Sequence, residues 1–144
     1  MKSEIVPSRQ SALLALQRAT HVTQHVLAAE LVDLDLTASE ISALANLADG
    51  CGRTVSELGA AAGARPTTLT SVLDRLERRG HISRGSLPGD RRAVLIELTP
   101  SGRVTAATIR QAVTDLERRA LAGLSADAIA GLRAALQALA EVSS

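Results

Sequence analysis

Residues 58–100 read LGAAAGARPTTLTSVLDRLERRGHISRGSLPGDRRAVLIELTP, and this stretch decides the fold. Leu58 is followed by the small Gly59, by Gly63 four residues later, and then by Leu69 and Val72. Two helices that cross steeply need a small residue where their backbones approach. They also need a glycine where the turn takes positive φ, and apolar side chains on the inner face of the second helix. The stretch supplies all three at the spacing of a helix-turn-helix. At about 100° per residue, Leu69, Val72, Leu73 and Leu76 share one side of the second helix. Thr67, Ser71 and Arg78 fall on the other, with Arg75 beside them. Short hydroxyls near the start and arginines further along suit a helix lying in the major groove of DNA. A plain amphipathic helix with a solvated polar face would show the same pattern, so the residues after Gly80 decide between the two.

Strand signals come at His81–Ser86 and at Val94–Leu98, the latter rich in β-branched residues. Leu87-Pro88-Gly89-Asp90 between them is a turn signal, which makes a hairpin with Arg91 and Arg92 at or near its tip. A helix-turn-helix with such a wing behind it gives a major-groove reader and a backbone or minor-groove arm. Working outward, helix starts are legible. Thr37-Ala38-Ser39-Glu40 and Thr54-Val55-Ser56-Glu57 are capping boxes. Thr99-Pro100 places a cap before a first-turn proline, and Ser125 caps a further start. The helices expected are Ser8–Leu34, Ala38–Asp49, Val55–Ala62, Pro66–Arg79, Pro100–Ala122 and Ala126–Val142, with Gly80 as a C-terminal cap. The fold class is therefore mainly α with a small β-hairpin wing. A winged helix-turn-helix region spans 35–99, and a helical dimerisation region is built from 1–34 and 100–144. The Ala- and Leu-rich terminal helices could not all bury their apolar sides in one small winged domain, whereas a symmetric dimer lets them cover each other.

Charge supports the same reading. From Arg53 to Arg92 there are eight arginines against four acids, a surplus of four positive charges. Elsewhere, eight basic residues meet eleven acidic ones. The net charge of +1 hides this concentration. The chain of 144 residues has no Phe, Tyr or Trp. Its core must therefore be aliphatic, and stacking on single-stranded nucleic acid is excluded. Its single cysteine, Cys51, can form no internal disulfide, which points to a reducing, cytoplasmic setting. No apolar run is long enough to span a membrane, and Met1–Arg9 has no signal-peptide core. No Gly-x-Ser-x-Gly, His-Glu-x-x-His or phosphate loop is present, so no enzyme, catalytic residue, cofactor or metal is expected.

Two runs carry a family resemblance. Leu76-Glu77-Arg78-Arg79-Gly80-His81-Ile82, and Asp90-Arg91-Arg92 through Leu98-Thr99-Pro100-Ser101-Gly102, resemble the MarR family of bacterial regulators (multiple antibiotic resistance regulator type). The resemblance covers nearly the whole chain. It implies a homodimer with the first, fifth and sixth helices at the interface, a pseudo-palindromic operator, and repression relieved by a small ligand or chemical signal. The DNA-binding residues expected from the helix faces, the wing and this resemblance together are Arg65, Thr67, Thr68, Ser71, Arg75, Arg78, Asp90, Arg91 and Arg92. Two departures stand out. The family's Asp-Pro-Arg-Asp-Arg-Arg wing is Leu87-Pro88-Gly89-Asp90-Arg91-Arg92 here, which leaves wing anchoring to Asp90 paired with an arginine. Arg65 replaces the usual serine cap before Pro66, losing about 1 kcal/mol of capping and adding a cation for phosphate.

Arg18, His21 and His25 cluster on the first helix, the two histidines one turn apart. They read as interface or surface residues, as a pocket for an organic anion such as the phenolic carboxylates bound by MarR relatives, or as part of a metal site lacking further ligands. Cys51, between Gly50 and Gly52, reads as a small residue in a short edge strand or turn rather than as an oxidant sensor. Two readings stand beside DNA binding: a winged helix that docks a partner protein, and a redox- or metal-responsive regulator.

Overall fold

The computed structural model describes residues 11–142. The chain divides into two compact units, Met1–Ala112 and Val113–Ser144. The first contains α1 (Ala12–Glu30), α2 (Ala38–Ala45), β1 (Arg53–Thr54), α3 (Val55–Ala62), α4 (Pro66–Arg78), β2 (Ile82–Leu87), β3 (Asp90–Leu98) and the start of α5 (Pro100–Ala120). The second contains the rest of α5 and α6 (Ala126–Ala140).

Side chains take up orphan amide hydrogens at the helix starts, with one exception. Ser11 Oγ accepts the Leu14 N–H at 3.3 Å and opens α1; the expected start at Ser8 lies outside the described residues. Both capping boxes form: Thr37 Oγ1 accepts from Glu40 N and Thr54 Oγ1 from Glu57 N, each at 3.1 Å, while each glutamate reaches back to the cap N–H. Ser125 Oγ caps α6 through Ala128 N. The exception is α4, where Arg65 sits at the cap with no side-chain hydrogen bond.

Helix ends correct the sequence reading in several places. α1 stops at Glu30 instead of Leu34, because Val32–Leu34 tightens into a 3-10 turn and Asp35 follows at φ 53. α2 stops at Ala45 instead of Asp49. There the Asn46 carbonyl accepts the Arg53 Nε–H at 2.6 Å, and Gly50 N–H turns to the Leu47 carbonyl. α5 and α6 end two residues earlier than expected, at Ala120 and Ala140. α4 ends at Arg78 with Gly80 at φ 80, where Gly80 N–H reaches the Glu77 carbonyl and His81 N–H the Leu76 carbonyl. That pair of bonds is the Schellman arrangement.

The sheet has three antiparallel strands in the order β1-β3-β2. Arg53 pairs with Ile96 on one edge of β3 and Ile82 with Leu98 on the other. β1 is a third strand, which the sequence suggested only as a short edge strand or turn at Cys51 and which begins two residues later. It is two residues long, and Thr54 doubles as the α3 cap. The core of this unit is aliphatic: Leu44, Leu47, Leu58, Leu73, Leu76, Ile96 and Ile109 are fully buried. Burying each such side chain contributes about 1.5–3 kcal/mol. Gly59 lies where α3 meets α4, and a Cβ there would come within 3.3 Å of Leu69 Cδ2. Gly63, at φ 66, makes the turn. In the second unit, Leu132, Leu136 and Leu139 form an exposed stripe along α6 at helical spacing.

Candidate nucleic-acid interface

α4 presents the two faces its sequence predicts. Leu69, Val72, Leu73 and Leu76 are buried. Thr67, Thr68, Ser71, Arg75 and Arg78 are exposed, as is Arg65 at the cap. Immediately after the helix, β2 and β3 form the wing.

The wing carries an irregularity that sequence reading did not resolve. Ile82 to Ser86 pair in register with Leu98 to Val94, but Leu87 pairs with Asp90. Arg91, Arg92 and Ala93 therefore have no register partner on β2. They form a bulge, and a bulge bends its strand and re-aims the side chains it holds. The regular ladder of β3 starts at Val94, where alternation begins in the sequence, although the strand itself begins at Asp90. Gly89 turns the tip at φ 87. Asp90 accepts the Arg92 backbone N–H at 3.0 Å. This corrects the expectation that Asp90 pairs with an arginine side chain: among the described residues it makes no ion pair, and it braces the bulge backbone instead.

Arginine partners divide the basic segment in two. Arg53 bonds the Asn46 carbonyl and Asp49. Arg75 Nε stands 3.1 Å from Glu40 Oε2. Arg79 donates to the carbonyls of Leu34 and Asp35 at 3.0 and 2.5 Å. Arg84 contacts Asp74 at 2.7 Å and Glu77 at 3.8 Å. These four hold the fold together. Arg65, Arg78, Arg91 and Arg92 have no side-chain partner among the described residues and are exposed. Arg75, expected beside the outer face, is half-exposed but committed to Glu40. Sequence reading missed this pair, yet a signal was present: Glu40 is buried on α2 with Ala43 and Leu44, and a carboxylate on an apolar stripe needs a buried partner.

The junction behind the wing accounts for Leu98-Thr99-Pro100-Ser101-Gly102. Thr99 Oγ1 donates to the Gly80 carbonyl at 2.5 Å and accepts the Gly102 N–H at 2.9 Å. Thr99 N–H bonds the His81 carbonyl. A Cβ on Gly102 would overlap that carbonyl oxygen and lie 2.8 Å from its carbon. Only glycine lets α5 start this close. Burial depresses the His81 imidazole below its ordinary value, Arg79 adds to this, and Glu40 opposes it. Glu57 is held below the usual carboxylate value by the Thr54 backbone and hydroxyl.

Arg18, His21 and His25 are exposed on α1. The two imidazoles meet edge to face with centroids 4.8 Å apart. A groove beside α1 is lined by Gln24 and not by these three, with Ser39, Ser42, Arg65 and Thr68 opposite. Cys51 is exposed and lies just before the edge strand β1, and its N–H is held by Asp49 Oδ1 at 3.0 Å. Among the described residues, no cluster of His, Cys, Asp and Glu is arranged to hold a metal, and no helix is long and apolar enough to cross a membrane.

A helix-turn-helix backed by a three-stranded sheet with a protruding hairpin defines the winged-helix class. Residues 36–94 match the MarR family. The multiple antibiotic resistance protein MarR of Salmonella typhimurium is 30% identical over 131 residues, 90% of this chain and 88% of that protein. The chain belongs to the MarR family, whose members are transcriptional regulators. Among solved structures, NadR in complex with 4-hydroxyphenylacetate is similar with a TM-score of 0.85, at 21% identity, over 94% of this chain and 96% of that one. The apo form of wild-type Escherichia coli MarR is similar with a TM-score of 0.71, at 27% identity, over 90% of this chain and 97% of that one.

Proposed function

We propose that the chain is a homodimeric repressor that binds a pseudo-palindromic operator and releases it when a small organic anion binds. The observation that carries the DNA-binding part is the placement of the unpaired cations. Arg65 and Arg78 stand on the exposed side of α4, and Arg91 and Arg92 stand in the wing bulge. Thr67, Thr68 and Ser71 lie between the two helix arginines as short donors and acceptors for base edges. Arg91 and Arg92 suit phosphate or the minor groove.

Dimerisation is supported by the exposed leucine stripe of α6 and by Leu13, Leu14 and Val22 exposed on α1. These faces leave apolar side chains in water unless a second copy covers them. Two α4 helices related by a two-fold would read half-sites about one DNA turn apart. The effector reading is supported by the phenolic acid bound to the structural relative NadR. In this chain its place is the exposed group Arg18, His21 and His25. No cofactor or metal enters this scheme.

Fluorescence anisotropy tests the core of it. The full chain is titrated into a duplex from the intergenic region upstream of its own coding sequence, and into a scrambled duplex, at two salt concentrations. Tight binding to the first alone, with a steep salt dependence, is expected. Arg78→Ala and Arg91→Ala should each weaken it. Equal, weak binding to both duplexes would favour a winged helix that docks a partner protein.

A further inference from the structure

We propose that Glu40 and Arg75 form a positioning pair that fixes the pose of α4 for DNA, with Arg75 acting through Glu40 and making no contact to DNA itself. This rests on the DNA-binding function proposed for the chain.

Glu40 is 1% exposed, so its carboxylate has lost nearly all hydration. Its two oxygens have different roles. Oε1 accepts the Thr37 N–H at 2.8 Å and closes the capping box that starts α2. Oε2 has no aligned hydrogen-bond donor and faces Arg75 Nε at 3.1 Å. A desolvated carboxylate needs its cation, so Arg75 is drawn inward from the exposed face of α4. The capping box fixes the carboxylate on α2, and the pair transmits that fixed point to α4. One turn on, Arg79 grips the carbonyls of Leu34 and Asp35. The last turn of α4 and its C-cap residue are thus both tied to the segment 34–40. The opposite flank is tied to β2 through Arg84 with Asp74 and Glu77.

The apolar face alone sets the depth of α4 but resists rolling about its own axis poorly, because leucine and valine contacts are non-directional. The polar ties are directional and oppose that roll. Arg78 and Ser71 lie on the exposed side, where a small roll moves their tips off the base edges, and base readout tolerates errors of only about 0.5 Å. Loss of Glu40 or Arg75 should therefore reduce affinity without removing a phosphate contact.

Salt dependence separates positioning from contact. Each phosphate contact contributes about one unit to the slope of log affinity against log salt. The probe is a duplex enriched from a random-sequence pool by the wild-type full-length chain. Glu40→Gln keeps the capping box and the volume; Arg75→Gln removes the guanidinium; Arg78→Ala is the contact control. Glu40→Gln and Arg75→Gln should each weaken binding about tenfold, the loss expected from one misread base pair. The double variant should be no weaker than either single one, and Arg75→Gln should keep the wild-type salt slope. Arg78→Ala should lower the slope by about one for each recognition helix engaged. If circular dichroism finds Arg75→Gln unfolded, Arg75→Lys takes its place and should lose affinity at unchanged slope, because lysine lacks the Nε–H that meets Glu40. A reduced slope in the Arg75 variant, additive losses, or wild-type affinity in Glu40→Gln would each overturn the positioning role. Enrichment of no duplex by the wild type would instead overturn the DNA-binding function on which it stands.

Discussion

Gly102 is the residue on which the join between the wing and α5 depends. Because its missing Cβ is replaced by a neighbouring carbonyl, the clash in Gly102→Ala cannot be relieved by rotating a side chain. The substitution should cost about 1–3 kcal/mol or more, read as a lowered denaturation midpoint in urea. The same carbonyl belongs to His81, whose ring is partly buried beside Arg79 and resists protonation in the folded chain. An unfolded chain protonates this histidine near the ordinary value of about 6.5. Its contribution to stability is therefore complete above that pH and is lost as pH falls through the lower folded-state value. Melting temperature should fall from pH 7.5 to about 5, and should fall less in His81→Gln. At this scale the sequence was only partly legible. Threonine before proline announced the α5 cap, but that Gly102 touches His81 depends on contacts some twenty residues apart along the chain. Helical spacing placed Arg78 on the exposed face, but the partners of the other arginines were invisible: nothing local shows that Arg79 binds two carbonyls or that Arg75 turns to Glu40.

Elements were more legible than residues, for a reason that lies in the caps. Thr37, Thr54 and Ser125 act within three or four residues, so local sequence contains everything their function needs. Helix ends depend on what arrives from elsewhere, as when Arg53 takes the Asn46 carbonyl and stops α2. β1 was legible only as an edge strand or turn near Cys51, because two residues leave no alternation to fix its position, and the wing bulge was illegible because it breaks the alternation that would reveal a strand. The uncapped start of α4 makes a prediction of its own. Arg65→Ser should supply the missing cap and stabilise the fold by about 1 kcal/mol in thermal or urea denaturation. The same change removes a solvent-facing cation, so operator affinity should fall and its salt slope should drop by about one per half-site. A rise in stability together with a loss of binding would identify Arg65 as a residue retained for function at the expense of stability.

At the scale of the whole molecule, the terminal helices carry the expectations that depend on a second copy. Leu132→Arg with Leu136→Arg places charge on the exposed stripe of α6 and should shift the sedimentation of the chain from dimer to monomer. Under the proposed effector reading, a small organic anion that weakens duplex binding by the wild type should lose that effect in Arg18→Ala. Sensitivity unchanged in the variant would clear Arg18 of the role. Dimer and effector were legible only as a surplus of apolar surface and a cluster of polar groups, since neither partner is encoded in the chain itself. The lone exposed thiol of Cys51 has a practical consequence here. It stands at the foot of the helix-turn-helix, in a chain with no other cysteine. A nitroxide attached to it would occur once per subunit, so a symmetric pair would return a single inter-spin distance. That distance would act as a ruler between the two reading heads, lengthening or shortening as they move into or out of step with the turn of the double helix.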